Sequence, residues 1–526
     1  MTFSQSRKTN PIQTQYKPKQ TQFQGILRER RPMAMKDCTR RTFMKTSLAA
    51  VGSVAMASSA WSKIRGANDD IRIAVVGVKK KGKEHIQDFR RLSGVRVVAI
   101  CDADTQFLDI EVAKFKERKM KIDTYVDYRK LLENKNIDAV VLSVPDHLHA
   151  LMTVWACQAG KDVYVEKTAS HNIWEGRKMV EAARKYKRIV GVGSQDRSDV
   201  GLLTLAEHIK QGGLGKVQRV HAITYNARLS IGKVNGPQPI PATCDYNLFQ
   251  GPAPLVPLMR KNLHYDWHWC WPTGTGEMGN LGGHVLDDCR WTTGVTKMAP
   301  RVMSLGGRFG YDDDGQTPNT IISLFDYDAF PIIYEIRALP RSKSEKVDAY
   351  QGITSRGMDR YMGINFGMVI QCEHGYFTGG RGGGWTYDND GKKIKQFAGD
   401  GGWGHMTNFL NTMRSRQVSD LKADVLEGHI TACMIHAADI SYRLGQRKSV
   451  DEIRQTIAGN DLLMESFDRL QQHLRANEVD LNSRPLALGP MLTFDTERET
   501  FVGDHSDYAN MFVTRNYRPP FIIPVN

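Results

Sequence analysis

No run of 18 or more apolar residues occurs anywhere in the 526-residue chain, so no segment reads as a membrane-spanning helix. Cysteine is scarce, and its eight residues include no CxxC pair. That spacing fits free buried thiols rather than a disulfide framework or a zinc site. An acidic surplus is also missing: 72 Lys and Arg stand against 57 Asp and Glu. The basic excess is concentrated, however, because residues 1–57 hold 11 Lys and Arg against two acids. With that segment set aside, nucleic-acid binding has little support. The whole chain has the composition of a globular protein, 41% hydrophobic and 25% charged. It is too long for one ordinary domain, and two folded domains with appendages are expected.

The basic segment has a form of its own. Thr39-Arg40-Arg41-Thr42-Phe43-Met44-Lys45 precedes the apolar stretch 47–57, and Ala55-Met56-Ala57 offers a small-residue cleavage site, with Ser58-Ser59-Ala60 as a second. This resembles a twin-arginine export signal and predicts an extracytoplasmic, periplasmic protein. Residues 1–32 are rich in Gln, Lys and Thr without an apolar period and read as disordered, so 1–60 forms a leader. Met33 and Met35 are alternative starts.

Beyond the leader, Ile71-Arg72-Ile73-Ala74-Val75-Val76-Gly77 is a short β-branched run ending in glycine, the form of a buried parallel strand. Gly82 and His85 open a helix, and Val95–Cys101 is a second strand ending in Asp102. The 20 residues from Gly82 to Asp102 are the spacing at which a carboxylate meets the adenosine ribose of a dinucleotide. A helix over 127–133, a strand over 137–144, a helix over 149–160 and a strand over 163–167 continue the alternation. Together they predict an α/β, doubly wound parallel sheet, a Rossmann domain over 69–196 with the remainder, 197–526, as a second domain. The glycine signature is incomplete. Gly77-Val78-Lys79-Lys80-Lys81-Gly82 keeps the outer glycines of G-x-G-x-x-G and places Lys79 at the second. The lysines either replace the lost backbone approach by charge or suit a 2′-phosphate, while Lys80 and Lys81 also read as a solvated basic loop. The cofactor expected is NAD or NADP.

Two further motifs carry chemistry. Glu166-Lys167-Thr168 ends a strand, and Gly279-Asn280-Leu281-Gly282-Gly283-His284-Val285-Leu286-Asp287 lies downstream. An amine that polarises a carbinol oxygen and an imidazole that takes its proton are what hydride transfer to nicotinamide requires.

With Val141–His149, Gly191–Gln195, Leu248–Pro254 and Ala438–Gly445 added, the chain resembles the Gfo/Idh/MocA oxidoreductases, its exported bacterial branch especially, from about Ile71 to Gly445. The resemblance implies a Rossmann domain followed by an α/β domain with a large, mostly antiparallel sheet, often an oligomer interface. It implies Lys167 and His284 as catalytic residues, and Gly77, Gly82, Asp102, Pro145, His149 and Glu166 as cofactor contacts. Asp287, one turn after His284, is expected to orient the imidazole, and Asn280 to hold a substrate hydroxyl. Where the family has proline after the lysine, often in a cis peptide, this chain has Thr168; a non-proline cis bond costs about 3–4 kcal/mol, so a trans peptide is expected. Where the family often has aspartate four residues before the histidine, this chain has Asn280.

The expected function is hydride transfer between a sugar, inositol or related carbinol and a tightly held nicotinamide, in a homo-oligomer. Transient oxidation without net redox, as in glycoside cleavage or epimerisation, is one alternative. A weakened nucleotide- or sugar-binding protein is another. Gly379–Gly384 reads as a flexible turn, His405, His429 and His436 as structural, and 453–476 as one helix. The cluster His264, Asp266, Trp267, His268, Trp269 and Trp271 suits either sugar stacking or domain packing.

Overall fold

The computed structural model describes residues 70–345 and 357–524, and the leader reading lies outside them. The first strand, β1 (Ile71–Val76), is central because its last four residues are buried. It pairs in parallel with β2 (Val95–Cys101) on one side and β4 (Ala139–Leu142) on the other. With β3 (Asp123–Tyr125), β5 (Asp162–Val165) and β6 (Val190–Val192) the order is β3-β2-β1-β4-β5-β6, wholly parallel. This is the doubly wound sheet that the alternating pattern predicts, and its carboxyl ends form a crevice where the order reverses, between β1 and β4.

The second sheet has 12 strands among the described residues. They are β7 (Val217–Tyr225), β8 (Arg301–Gly307), β9 (Thr320–Asp326), β10 (Ile332–Arg337), β11 (Phe366–Cys372), β12 (Gly375–Gly380), β13 (Gly383–Tyr387), β14 (Lys393–Ala398), β15 (Gln446–Lys448), β16 (Leu486–Leu488), β17 (Leu492–Asp495) and β18 (Thr500–Val502). All pairings are antiparallel except β7 with β10. The helices Gly276–Thr292 and Val425–Leu444 share one apolar cluster with this sheet, through Val285, Leu286, Met434 and Ala438 against Val302, Ile321 and Tyr334. That packing fixes the helix carrying His284 between the two sheets.

Several sequence expectations are corrected. Gly379–Gly384 is not a loose turn: four of its glycines lie in β12 and β13, paired Gly379 with Gly384 and Gly380 with Gly383. The predicted helix over 453–476 is two helices, Val450–Ile457 and Asp461–Ala476, broken at the low-propensity pair Gly459-Asn460, where Asn460 caps the second. The helix expected from His149 begins at Asp146, directly after Pro145. The seven described cysteines are all unpaired, and no described helix is long and apolar enough to cross a membrane.

Candidate active site

A cavity of about 430 Å³ follows the crevice from Asp102 and Lys79 at one end to Lys167 and His284 at the other. Its floor is made by Gly77, Ser143, Val144 and Pro145. Gly77 has φ +79°, and a β-carbon there would stand 2.6 Å from the Ser143 carbonyl. A β-carbon on Gly82 would stand 1.8 Å from the Gly77 carbonyl, so this glycine lets the helix Lys81–Arg91 pack onto the loop. That helix has no side-chain cap, which leaves first-turn N–H groups for an anion. Asp102 accepts from the N–H of Val78 (2.8 Å) and Asp104 (3.0 Å), and burial pushes it up to about 6. Its carboxylate faces the cavity with acceptor capacity to spare. An uncapped helix end beside a glycine cradle, with an acid at the end of β2, fits a dinucleotide and suits a 2′-hydroxyl better than a 2′-phosphate.

The three lysines stand at the surface, Lys79 and Lys80 exposed and Lys81 half-exposed, as a solvated basic loop would, yet each has a contact. Lys79 Nζ lies 4.7 Å from the Phe107 ring, Lys80 Nζ lies 4.0 Å from the Tyr265 ring, and Lys81 donates to Glu84 at 2.9 Å. The Lys79 side chain therefore sits at the adenosine end rather than across the phosphate position.

At the other end, Glu166 accepts from His85 at 2.7 Å. Burial raises its pKa, but the His85 hydrogen bond with Lys81 and Lys167 nearby outweighs burial and holds it ionised. Lys167 donates to the Asn280 carbonyl, and its stem passes Gly283, where a β-carbon would stand 3.2 Å from Lys167 Cδ. Burial lowers the Lys167 pKa, opposed by Glu166, Asp146 and Glu277. The Lys167–Thr168 peptide is cis, against the trans expectation. Thr168 is held from two sides: its hydroxyl donates to the Gly279 carbonyl (2.9 Å), and its own carbonyl faces His149 Nδ1 (2.7 Å). These anchors replace the pyrrolidine ring as the local constraint.

His149 is corrected accordingly. Its two ring nitrogens face the carbonyls of Thr168 and Val144, and it braces the Lys167–Thr168 turn from outside the cavity wall. Asn280 lines the cavity as expected, with its amide donating to Glu277 at 3.3 Å.

His284 also lines the cavity, and burial, with Lys167 adding to it, pushes its pKa down to about 3. The imidazole is therefore neutral. Asp287 does not orient it, because its carboxylate is taken by Arg197 (2.7 and 2.9 Å) and Thr431 (2.7 Å). The carboxylate facing His284 Nδ1 is Asp196, at 3.9 Å. Burial pushes Asp196 up to about 6 and Asp288 well above the carboxylate range, and Asp288 in its protonated form donates to Asp196.

Residues without a motif complete the site. His264, Trp267 and His268 from the aromatic cluster roof the cavity, together with Tyr265, which the sequence reading did not single out. The roof is fastened to the Rossmann domain: His264 donates to Asp104 (2.7 Å), and the Asp245 N–H donates to Ala103 (2.8 Å). Gln195 and Arg381 close the far wall.

Residues 71–194 match the model described as "Oxidoreductase family, NAD-binding Rossmann fold", and residues 216–321 match "Oxidoreductase family, C-terminal alpha/beta domain". The chain is 30% identical to an inositol 2-dehydrogenase of Salmonella typhimurium over 159 residues, 30% of this chain and 46% of that protein. It is 30% identical to a glycosyl hydrolase family 109 protein of a Shewanella species over 125 residues, 23% of this chain and 27% of that one. The chain thus spans less than half the length of these curated relatives. The WlbA dehydrogenase of Bordetella pertussis, solved with NADH and UDP-GlcNAcA, superimposes with a TM-score of 0.50 at 18% identity. That superposition covers 70% of this chain and 94% of the other, a likeness of fold.

Proposed function

Because the chain belongs to the Gfo/Idh/MocA oxidoreductase family, we propose that it moves a hydride between a sugar- or polyol-type carbinol and NAD bound in the crevice. One arrangement carries this reading. A half-buried amine and a neutral imidazole line the same end of a dinucleotide-shaped cleft, under an aromatic roof. Gly77, the first-turn N–H groups of the helix Lys81–Arg91 and Asp102 would hold the pyrophosphate and ribose, while Gly82, expected as a contact, packs behind Gly77 outside the cavity lining. The bound nicotinamide would supply the two-electron acceptor at C4. Lys167 would donate to the carbinol oxygen and stabilise the charge that develops there, in a water-poor site where such a dipole is worth most. His284 would accept the hydroxyl proton, and Asn280 would position a second hydroxyl. Asp196 would then face the imidazolium and offset its charge.

The last step has a pH signature. Asp196 is charged only above about pH 6, so oxidation is expected to decline as pH falls through that value. Asp196→Asn should lower kcat roughly 10-fold and remove this acid limb. A pH profile in which the limb survives unchanged in the variant contradicts the role.

The reading is tested by denaturing the purified protein and identifying the released nucleotide by mass spectrometry. Near-stoichiometric NAD is the expected result. Absence of nucleotide, with none taken up at millimolar NAD, contradicts it. The leader supports a site outside the cytoplasm, where retained NAD would be recycled in place. The glycosyl hydrolase family 109 similarity favours one variant, in which the hydride returns to the substrate after a bond is cleaved; unchanged product redox state would identify it.

A further inference from the structure

The glycine-rich hairpin ends in one charged side chain aimed at the reaction centre. Only Arg381 and Gly382 lie between β12 and β13, and Gly382 and Gly383 take φ +90° and +94°. A β-carbon on Gly383 would stand 1.8 Å from the Phe397 carbonyl, and one on Gly384 would stand 2.3 Å from the Thr378 carbonyl. The glycines therefore let three backbones close up beneath the turn. The turn is then fixed by one buried carboxylate. Asp199, fully buried, accepts from the N–H groups of Gly382 (3.0 Å) and Gly401 (2.7 Å). With its other oxygen it caps the helix Val200–Lys210 through Gly201 (2.9 Å) and Leu202 (3.1 Å).

So placed, Arg381 lines the cavity beside Gln195 and His284. Its Nε donates to the Gly401 carbonyl (3.0 Å) and lies 3.3 Å from Asp196 Oδ1. Neither terminal nitrogen hydrogen-bonds to any described residue, and the side chain is 48% exposed. The other guanidinium at this end, Arg228, is already closed by Glu277 through contacts of 2.7 and 3.3 Å. One anchored, half-exposed guanidinium with both terminal amines open is the donor geometry that a carboxylate fills with two parallel hydrogen bonds.

We infer that Arg381 is a specificity residue that holds the carboxylate of an acidic sugar, so that the preferred substrate is a uronic-acid-type carbinol rather than a neutral hexose. This rests on the reading of the cavity as a sugar site, though not on hydride transfer taking place there. The same fork would also suit a phosphate of the cofactor, and the test separates the two.

Tryptophan fluorescence, with Trp267 in the cavity wall, would follow binding to the full-length protein at saturating NAD. The probes are D-glucuronate, D-galacturonate and D-mannuronate, each against its parent hexose. The expected result is that at least one uronate binds about 10–100-fold more tightly than its parent, the range of one charge-assisted pair. Arg381→Gln should bring acid and parent to parity without weakening NAD, and Arg381→Lys should restore part of the preference. Equal binding of acids and parents in the wild type, absence of binding included, overturns the inference. So does a preference that survives in Arg381→Gln, or a loss of NAD affinity in that variant as large as the loss for the acid. Preserved uronate discrimination in a protein that neither holds nor reduces NAD would instead defeat the dehydrogenase reading alone.

Discussion

Replacing Lys167 by Met or His284 by Ala should each cut hydride transfer by about 10²–10⁴-fold, the range for removing a positioned acid–base group. Dinucleotide binding should change little in either variant, because Gly77 and Asp102, which would hold NAD, lie at the other end of the cavity. The double variant should fall short of the product of the two losses, since the residues act on the same oxygen and proton. Steady-state rates with NAD titrated over both single variants give the answer. A loss confined to KM for NAD would place these residues in cofactor binding and remove them from the chemistry. A pKa near about 3 makes His284 a poor base in isolation. Its competence depends on charge arriving with the proton, which is why the Asp196 carboxylate at 3.9 Å matters more than any sequence neighbour.

Asp287→Asn should be the most destabilising isosteric change in the site, at about 3–5 kcal/mol. Asp287 is the shared partner of two buried guanidinium groups, Arg197 at 2.7 Å and Arg290 at 3.5 Å, and Glu427 alone cannot neutralise both. The amide keeps the shape and removes the charge, leaving cationic groups in a dry interior. Burial raises the Asp287 pKa, but Arg197 and Arg290 outweigh it and hold the carboxyl below its usual range. A depressed native value means this contribution is fully present above the unfolded carboxylate pKa of about 3.9. It is lost as pH falls through the lower native value. Urea unfolding of Asp287→Asn beside Asp196→Asn distinguishes structural from chemical roles. Equal stability of Asp287→Asn and wild type would return Asp287 to the catalytic set.

The pattern of what the sequence revealed follows from distance along the chain. Four of the six Rossmann strands were legible because they are short runs rich in apolar and β-branched residues, as in Ile71–Val76 and Ala139–Leu142; β3 is exposed and polar and β6 only three residues long, so neither carried that signal. Lys167 and His284 were legible because each sits in a glycine-marked or strand-end motif. Gly279 and Gly283 prove to be glycines because Thr168 and the Lys167 stem pass against them. Asp196 was not legible: it follows β6 in a short 3-10 turn and meets His284 only when the helix Gly276–Thr292 docks. Asp287 was misread for the converse reason. Its one-turn offset from His284 suggested a pair, while its partners Arg197 and Thr431 lie on distant elements. The cis peptide escaped the sequence because its anchors, Gly279 and His149, are remote from Thr168. Arg381 was hidden by a glycine tract that resembles flexibility until Asp199 is seen holding it.

The most direct test of the central claim is absorbance at 340 nm when the purified protein, supplied with NAD, meets a panel of inositols, hexoses and uronic acids. A rise with at least one of them in the wild type, absent in Lys167→Met and His284→Ala, is the predicted result. No rise in a protein shown to hold NAD, with the substrate recovered unaltered, or an equal rise in both variants, would contradict it.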